Sequence, residues 1–156
     1  MIVAVIVTYN RKELLGENIQ MLLEQTRSID RICIVDNCST DGTPEFLQKN
    51  GWKNNNQFVY IRTESNIGGA GGFYTGTKAA FELGADWILL MDDDGKMADK
   101  FMLKCLMSVA EQLYENNVAD RKLFINALVQ QGEMLSFKMG TKYTVQQALD
   151  ASRSGI

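Results

Sequence analysis

The chain has no histidine, a single proline and only three cysteines in 156 residues. Without histidine no Ser-His-Asp or Cys-His arrangement can form. Any catalysis must therefore draw on carboxylates, a metal, or backbone and amide groups. Cys33, Cys38 and Cys105 are an odd, scattered set with no CxxC pair. They supply neither a disulfide framework nor a zinc site, and they suit a reducing, cytoplasmic setting. No apolar stretch approaches the roughly 20 residues needed to span a bilayer. The run Ile2 to Val7 is too short for a signal peptide's apolar region and has no basic segment before it. With 16 basic and 19 acidic residues the net charge is −3, so no broad basic face would collect phosphates and nucleic acid is not an expected partner.

What remains is ordinary globular material, 46% hydrophobic and 22% charged, in a length that suits one structural domain. Strand and helix signals alternate. Ile2 to Val7 is a continuous, mostly β-branched run that reads as a central strand buried on both faces. Residues 11 to 26 carry Leu14, Leu15, Ile19, Leu22 and Leu23 at helical spacing. Arg31 to Asp36 reads as a second buried strand, and Thr43 to Lys49 as a short helix with Pro44 in its first turn. Phe58 to Ile61 reads as a third strand. A glycine-rich segment leads into a helix over roughly 71 to 83, and Asp86 to Met91 reads as a fourth, buried strand. Further on, the pattern predicts an amphipathic helix over 99–115, a strand over 123–129, a hairpin partner over 134–139 and a short helix over 143–149. This alternation implies an α/β fold with a mostly parallel central sheet flanked by helices, and such sheets bind ligands beyond the carboxyl ends of their strands.

The polar clusters fall at those ends. The first strand runs into Thr8-Tyr9-Asn10-Arg11, and the second into Asp36-Asn37-Cys38-Ser39-Thr40-Asp41-Gly42. The third leads to Asn66-Ile67-Gly68-Gly69-Ala70-Gly71-Gly72-Phe73, and the fourth to Met91-Asp92-Asp93-Asp94-Gly95. Each alone could be an N-cap, an Asx-turn, a flexible loop or a solvated acidic turn. Four such turns on one edge point instead to a nucleotide or sugar site. The aspartate triplet is the sharpest of them. Two unit charges about 4 Å apart repel by roughly 4 kcal/mol at an effective dielectric near 20. A divalent cation turns that repulsion into attraction, and hard oxygen donors suit Mg2+ or Mn2+. In an extended segment Asp92 and Asp94 would face one side and Asp93 the other.

In this order and spacing, VTYNR, VDNCSTDGT, NIGGAGGF and MDDDG resemble the N-terminal half of a family 2 glycosyltransferase with a GT-A, Rossmann-like fold. The resemblance covers about residues 2 to 100, and the glycine segment with the triplet is most similar to the galactofuranosyltransferase branch, with rhamnosyltransferases near it. It implies a nucleotide-sugar-binding part over 1–100 and the start of an acceptor-side part over 101–156, shorter than family members usually carry and so expected to be truncated. It also implies inverting transfer from a UDP- or dTDP-sugar, UDP-galactofuranose among them, to a glycan or lipid-linked acceptor. Peripheral association with the inner face of the membrane and oligomerisation are both compatible with it.

By that resemblance Thr8, Tyr9 and Arg11 line the base and diphosphate pocket, and Asp36 holds the uracil or ribose with Asn37 and Ser39 beside it. Asn66 and the glycines Gly68, Gly69 and Gly72 approach the ribose and donor sugar, since glycine permits close backbone contact. Asp92 and Asp94 are the expected metal ligands and frame the metal-bound diphosphate; Asp92 and Asp93 also count among the nucleotide-sugar-binding residues, and Asp93 either orients the acceptor or metal shell or serves only the turn. Inversion also needs a base. None is identified in a family motif among Asp99, Glu111, Glu115, Asp120, Glu133 and Asp150, and Asp93 is the remaining candidate.

Three other readings compete. A non-catalytic nucleotide-sugar-binding module would bind the donor without transferring it. A sugar-1-phosphate nucleotidyltransferase would need a glycine-rich phosphate loop after the first strand, where this chain has Thr8-Tyr9-Asn10-Arg11. A dinucleotide-binding Rossmann domain would need GxGxxG in the first βαβ unit, which Gly69-Ala70-Gly71-Gly72 does not supply.

Overall fold

The computed structural model describes residues 1–115, 129–131, 134–138 and 141–144. The chain separates into two compact units, Met1–Cys105 and Leu106–Ile156.

In the first unit strands and helices alternate in chain order: β1 (Ile2–Thr8), α1 (Lys12–Leu23), β2 (Arg31–Asp36), α2 (Thr43–Lys49), β3 (Phe58–Arg62), α3 (Gly68–Glu82) and β4 (Trp87–Asp92). A single 3-10 turn at Trp52–Asn54 precedes β3. All four strands run parallel, in the order β3-β2-β1-β4. β1 is buried at every position, as its unbroken apolar run requires. Val3, Val5, Val7, Cys33 and Val35 point to one face and form a core cluster with Ala80 of α3. Ala4, Ile6, Ile32 and Ile34 point the other way and are equally buried, as are Leu15, Ile19 and Leu22 of α1 and Leu47 of α2. Burial pushes the Cys33 thiol up to about 11. All three cysteines are free.

Two expectations about this unit change. β4 reads as a buried strand but takes an outer position in the sheet, and Leu90 is 50% exposed. An apolar run of this length does not distinguish a strand flanked on both sides from one paired along a single edge. α3 also begins at Gly68, three residues before the position its glycines suggest. Glycine in a helix costs roughly 0.5–1 kcal/mol relative to alanine. Here it permits an approach that no larger residue allows. Gly72, Gly76 and Ala80 are the buried positions of α3, spaced four apart on one face. A Cβ on Gly72 would lie 2.5 Å from Val7 Cγ1, and one on Gly76 would overlap Val5 Cγ1. The small residues therefore set how closely α3 lies on β1 and β2.

The helix α4 (Met102–Glu115) begins at the end of the first unit. In the second unit β5 (Val129–Gln131), β6 (Met134–Lys138) and β7 (Thr141–Thr144) form an antiparallel sheet in that order. The hairpin partner expected over 134–139 is β6. The strand expected over 123–129 meets the described residues only at Val129, where β5 starts. The helix expected over 143–149 is corrected at its start: Tyr143 pairs with Leu135, and Thr144 with Met134, as strand. Alternating Thr141, Tyr143 and neighbouring Thr144 suit a pleated strand better than a helix turn; residues 145–149, like Asp120, Glu133 and Asp150, lie outside the described residues. Among the described residues no helix is long and apolar enough to cross a membrane.

Candidate functional site

The register of the parallel sheet levels the strand ends. Thr8 lies opposite Asp36, Asp36 opposite Arg62, and Val7 opposite Asp92. Asp92, Thr8, Asp36 and Arg62 thus end adjacent strands in one row, and the four polar segments picked out in the sequence all leave the sheet at this edge. The chain turns sharply just beyond it. Asn10 and Cys38 have φ values of 55° and 65°, in the left-handed region that non-glycine residues seldom adopt.

Asp36 is fully enclosed, with 0% exposure. Its Oδ1 accepts the Ser39 backbone N–H at 2.7 Å. Its Oδ2 accepts the Tyr60 hydroxyl at 2.6 Å and Arg62 Nη1 at 3.1 Å. Burial, followed by the bond to Asp36, raises the pKa of the Tyr60 phenol. The carboxylate expected to hold the nucleoside therefore anchors Tyr60, Arg62 and the Ser39 loop, and presents no surface of its own. Arg62 Nη2 also donates to the Ser39 carbonyl at 2.8 Å, which ties β3 to the loop after β2.

The loops after β1 and β2 are laced together. Asn10 N–H donates to Ser39 Oγ at 3.0 Å, and Thr40 N–H to Asn10 Oδ1 at 2.6 Å. Asp41 accepts the Lys12 N–H at 3.1 Å on one oxygen, and the Thr43 N–H at 3.1 Å and hydroxyl at 2.6 Å on the other. One carboxylate thereby satisfies first-turn N–H groups of both α1 and α2, where a negative charge is favoured. Burial alone would raise the Asp41 pKa, but the bonds from Thr43 and Lys12 and the Lys12 charge hold it below the usual carboxylate value.

At the glycine segment, Asn37 is buried and its Nδ2 donates to the Gly68 carbonyl at 3.1 Å, while its Oδ1 is buried with no partner among the described residues. Asn66 Oδ1 accepts the Gly68 N–H at 2.9 Å, an Asx-turn that starts α3 at a left-handed glycine. Its carboxamide is engaged in shaping the loop. Gly69 has open space where a Cβ would stand, unlike Gly72, which abuts Val7.

The triplet divides in two. Asp93 is 5% exposed and accepts the Thr8 hydroxyl at 2.8 Å. Asp92 and Asp94 are exposed. The division follows a tight turn, closed by the Gly95 N–H on the Asp92 carbonyl at 3.0 Å, and not a continued extended strand. Arg11 Nη1 bridges Asp94 Oδ2 at 2.9 Å and Asp93 Oδ1 at 3.3 Å. Burial, then the charges of Asp94 and Asp93, hold the Asp92 carboxyl above its usual value, only partly countered by Arg11. Negative charge is thus left over, and its donors are hard oxygens, a set whose chemistry fits a divalent cation. Among the described residues no three acidic or thiol groups converge to hold an ion unaided. The enclosure of Asp93 by Thr8 and Arg11 also removes it from the surface a substrate hydroxyl would meet.

Thr8, Arg11, Asp93 and Asp94 are therefore brought into one hydrogen-bonded group, and Asp36 and Ser39 into a second. The Asn37 N–H, donating to the Thr8 carbonyl at 2.9 Å, connects the two. Tyr9 is exposed beside them. Four contributors escape sequence reading. Tyr60 and Arg62 sit two apart on β3 beside a carboxylate that ends a buried strand, a signal that it would need a cation. Asn10 offers no signal beyond its place in a turn. Asn18, inside α1, is buried and its Nδ2 donates to the Asp92 carbonyl at 2.9 Å, with its Oδ1 unpartnered among the described residues. An asparagine on the apolar face of a helix was the available clue.

Comparison with known proteins bears on the family and the fold. The model of glycosyl transferase family 2 matches residues 3–150. Galactofuranosyltransferase GlfT1 of Mycolicibacterium smegmatis is 39% identical over 107 residues, covering 69% of this chain and 34% of that protein. Abequosyltransferase RfbV of Salmonella typhimurium is 34% identical over 119 residues, covering 74% of this chain and 34% of that protein. The chain spans about a third of the length of these curated relatives. Among solved structures, S. aureus TarS 1-349 in complex with UDP superposes with a TM-score of 0.57 at 22% identity, over 80% of this chain and 38% of that one. The mannosyltransferase PcManGT from Pyrobaculum calidifontis, in complex with GDP-Man and Mn2+, gives 0.56 at 21% identity, over 65% of this chain and 30% of that one. At such identities the likeness speaks for the fold, which is the GT-A arrangement. On the family match over residues 3–150, the chain belongs to glycosyl transferase family 2.

Proposed function

We propose that this chain binds a nucleotide-sugar donor, a UDP-sugar, at the carboxyl edge of its parallel sheet and transfers the sugar with inversion to a glycan or lipid-linked acceptor. The observation that carries the reading is the single row of strand ends, which sets Thr8, Arg11 and the aspartate triplet beside the Asp36–Arg62 group. Family membership supports transferase activity. That the Mycolicibacterium relative is a galactofuranosyltransferase favours galactofuranose as the sugar.

Tyr9, exposed just after β1, offers a ring for a nucleobase, and Arg62, half-exposed and held by Asp36, offers a fixed cation nearby. The open space at Gly69 allows ligand oxygens close to the backbone of the first turn of α3, where N–H groups are unpaired within the helix. Asp92 and Asp94 would hold a divalent cation, Mn2+ or Mg2+, with donor diphosphate oxygens as further ligands. When bound, the cation supplies Lewis-acid stabilisation of the negative charge that grows on the departing nucleoside diphosphate. Thr8 and Asn18 keep the turn that carries these carboxylates in place, through Asp93 and the Asp92 carbonyl.

A second reading, binding without transfer, follows from the base that inversion requires. With Asp93 enclosed and Asp92 and Asp94 assigned to the cation, that base is not assigned. Calorimetric titration of UDP with and without Mn2+ tests the donor site. Metal-dependent binding that disappears in Asp92→Asn and Asp94→Asn, both still folded, is the expected result; unchanged binding in both variants would sink the metal assignment. Transfer or slow hydrolysis of a UDP-sugar then separates the enzyme from the binding module.

A further inference from the structure

We propose that Arg11 is a resident counter-cation of the aspartate turn, one that a divalent cation must displace from Asp94, so that cation and nucleoside diphosphate bind in a coupled way. The inference rests on the donor-site reading above and assigns to Arg11 a role in the donor-free protein.

The two exposed members of the triplet are not equivalent. Among the described residues, the Asp92 carboxylate has no side-chain partner, whereas Asp94 has one, Arg11 Nη1 at 2.9 Å. Asp93 has two, Thr8 at 2.8 Å and the same Arg11 nitrogen at 3.3 Å. Thr8 is buried at the end of β1, so its hold on Asp93 is fixed. Arg11 is half-exposed, precedes the first residue of α1, and is bound to the turn only through a terminal nitrogen. Its side chain can rotate away without disturbing the core, and Asp93 would still be held by Thr8. One tether is permanent and the other exchangeable.

Charge sets the consequence. Three carboxylates and one guanidinium leave a net −2, which attracts a divalent ion. That ion would have to approach Asp94 where a positive group already binds it, and like charges repel at this range. The cation alone must therefore compete with Arg11. A cation arriving with a nucleoside diphosphate brings a second anion that the released guanidinium can pair with. Each ligand then strengthens the other, and by linkage the coupling must be reciprocal. If Arg11 served only to brace the turn, its removal would disorganise the carboxylates and weaken cation binding. The two roles predict opposite signs.

The test measures free Mn2+ by electron paramagnetic resonance as protein is added, for the wild type, Arg11→Gln, Arg11→Met and Arg11→Lys, with and without saturating UDP. Circular dichroism establishes that each variant is folded. Without nucleotide, Arg11→Gln and Arg11→Met are expected to bind Mn2+ on the order of threefold to tenfold more tightly than wild type, the scale of one partly exposed charge pair. Arg11→Lys, which keeps the charge, should stay near wild type. The factor by which UDP tightens Mn2+ binding should shrink in both neutral variants. Mn2+ affinity that is unchanged or weaker in both, with UDP binding intact in the wild type, overturns the exchange role and leaves the donor site standing. A folded wild type with no Mn2+-dependent UDP binding overturns the donor-site reading and this inference together.

Discussion

The Thr8 hydroxyl donates to the buried Asp93 carboxylate over 2.8 Å, joining the end of β1 to the turn after β4 across 85 residues of sequence. The bond gives a carboxylate that is 5% exposed a donor from the most buried strand of the sheet. Thr8→Val keeps the side-chain shape and removes that donor, leaving Asp93 short of a partner away from water. A loss of about 1–3 kcal/mol is expected, read as a lower urea midpoint at unchanged slope. A midpoint within error of wild type would mean that Arg11 alone suffices for Asp93.

Tyr60 and Arg62 share the same carboxylate oxygen of Asp36. Tyr60→Phe removes one of three donors and should cost about 1–2 kcal/mol. Asp36→Ala removes the acceptor of all three bonds and should cost more than Tyr60→Phe, although Arg62, which reaches water, is not left as a buried charge. Under the proposed function, UDP affinity falls in both variants, because Arg62 and the Ser39 loop lose their anchor. Chemical denaturation and calorimetry on the same samples separate the two effects, and retained UDP affinity in folded Tyr60→Phe would show that the Tyr60 anchor is dispensable for the nucleoside.

The glycines of α3 differ in what they permit. Gly76→Ala places a methyl against the buried Val5 and should destabilise by about 1–3 kcal/mol. Gly69→Ala meets nothing within 4 Å and should be neutral or stabilising by about 0.5 kcal/mol. Thermal melts check both, and equal costs at the two positions would contradict the packing described for Gly76.

Asp41 predicts a pH dependence. Its folded pKa is depressed, so its contribution is fully present above the unfolded value of about 3.9 and is lost as pH falls through the lower folded value. Asp41→Asn should melt below wild type at pH 7, by an amount that shrinks as pH is lowered from about 4 toward 2. A difference that stays constant across that range would show that the carboxylate charge is not what braces α1 and α2.

Much of this arrangement is legible in the residues. Ile2 to Val7 and Arg31 to Asp36 are apolar runs that only strands covered on both faces would carry, and α2 lies over Thr43–Lys49 as its composition implies. The four polar segments are visible for the same reason: each follows a strand directly, and strand ends in a parallel sheet meet at one edge. Asn18, Tyr60 and Arg62 are less visible because their partners, Asp92 and Asp36, lie far away in sequence and come near only through strand register.

The strand–helix alternation, the edge where the chemistry gathers and the excess of negative charge at the triplet all follow from local pattern and residue type. How each carboxylate is used follows instead from packing between distant parts of the chain. Packing against Thr8 buries Asp93 while leaving Asp92 and Asp94 exposed. The position of α1 sets Arg11 on Asp94, and the pairing of β2 with β3 encloses Asp36. A carboxylate's role depends on which donors surround it and on how much water reaches it, and both are properties of residues distant in the chain.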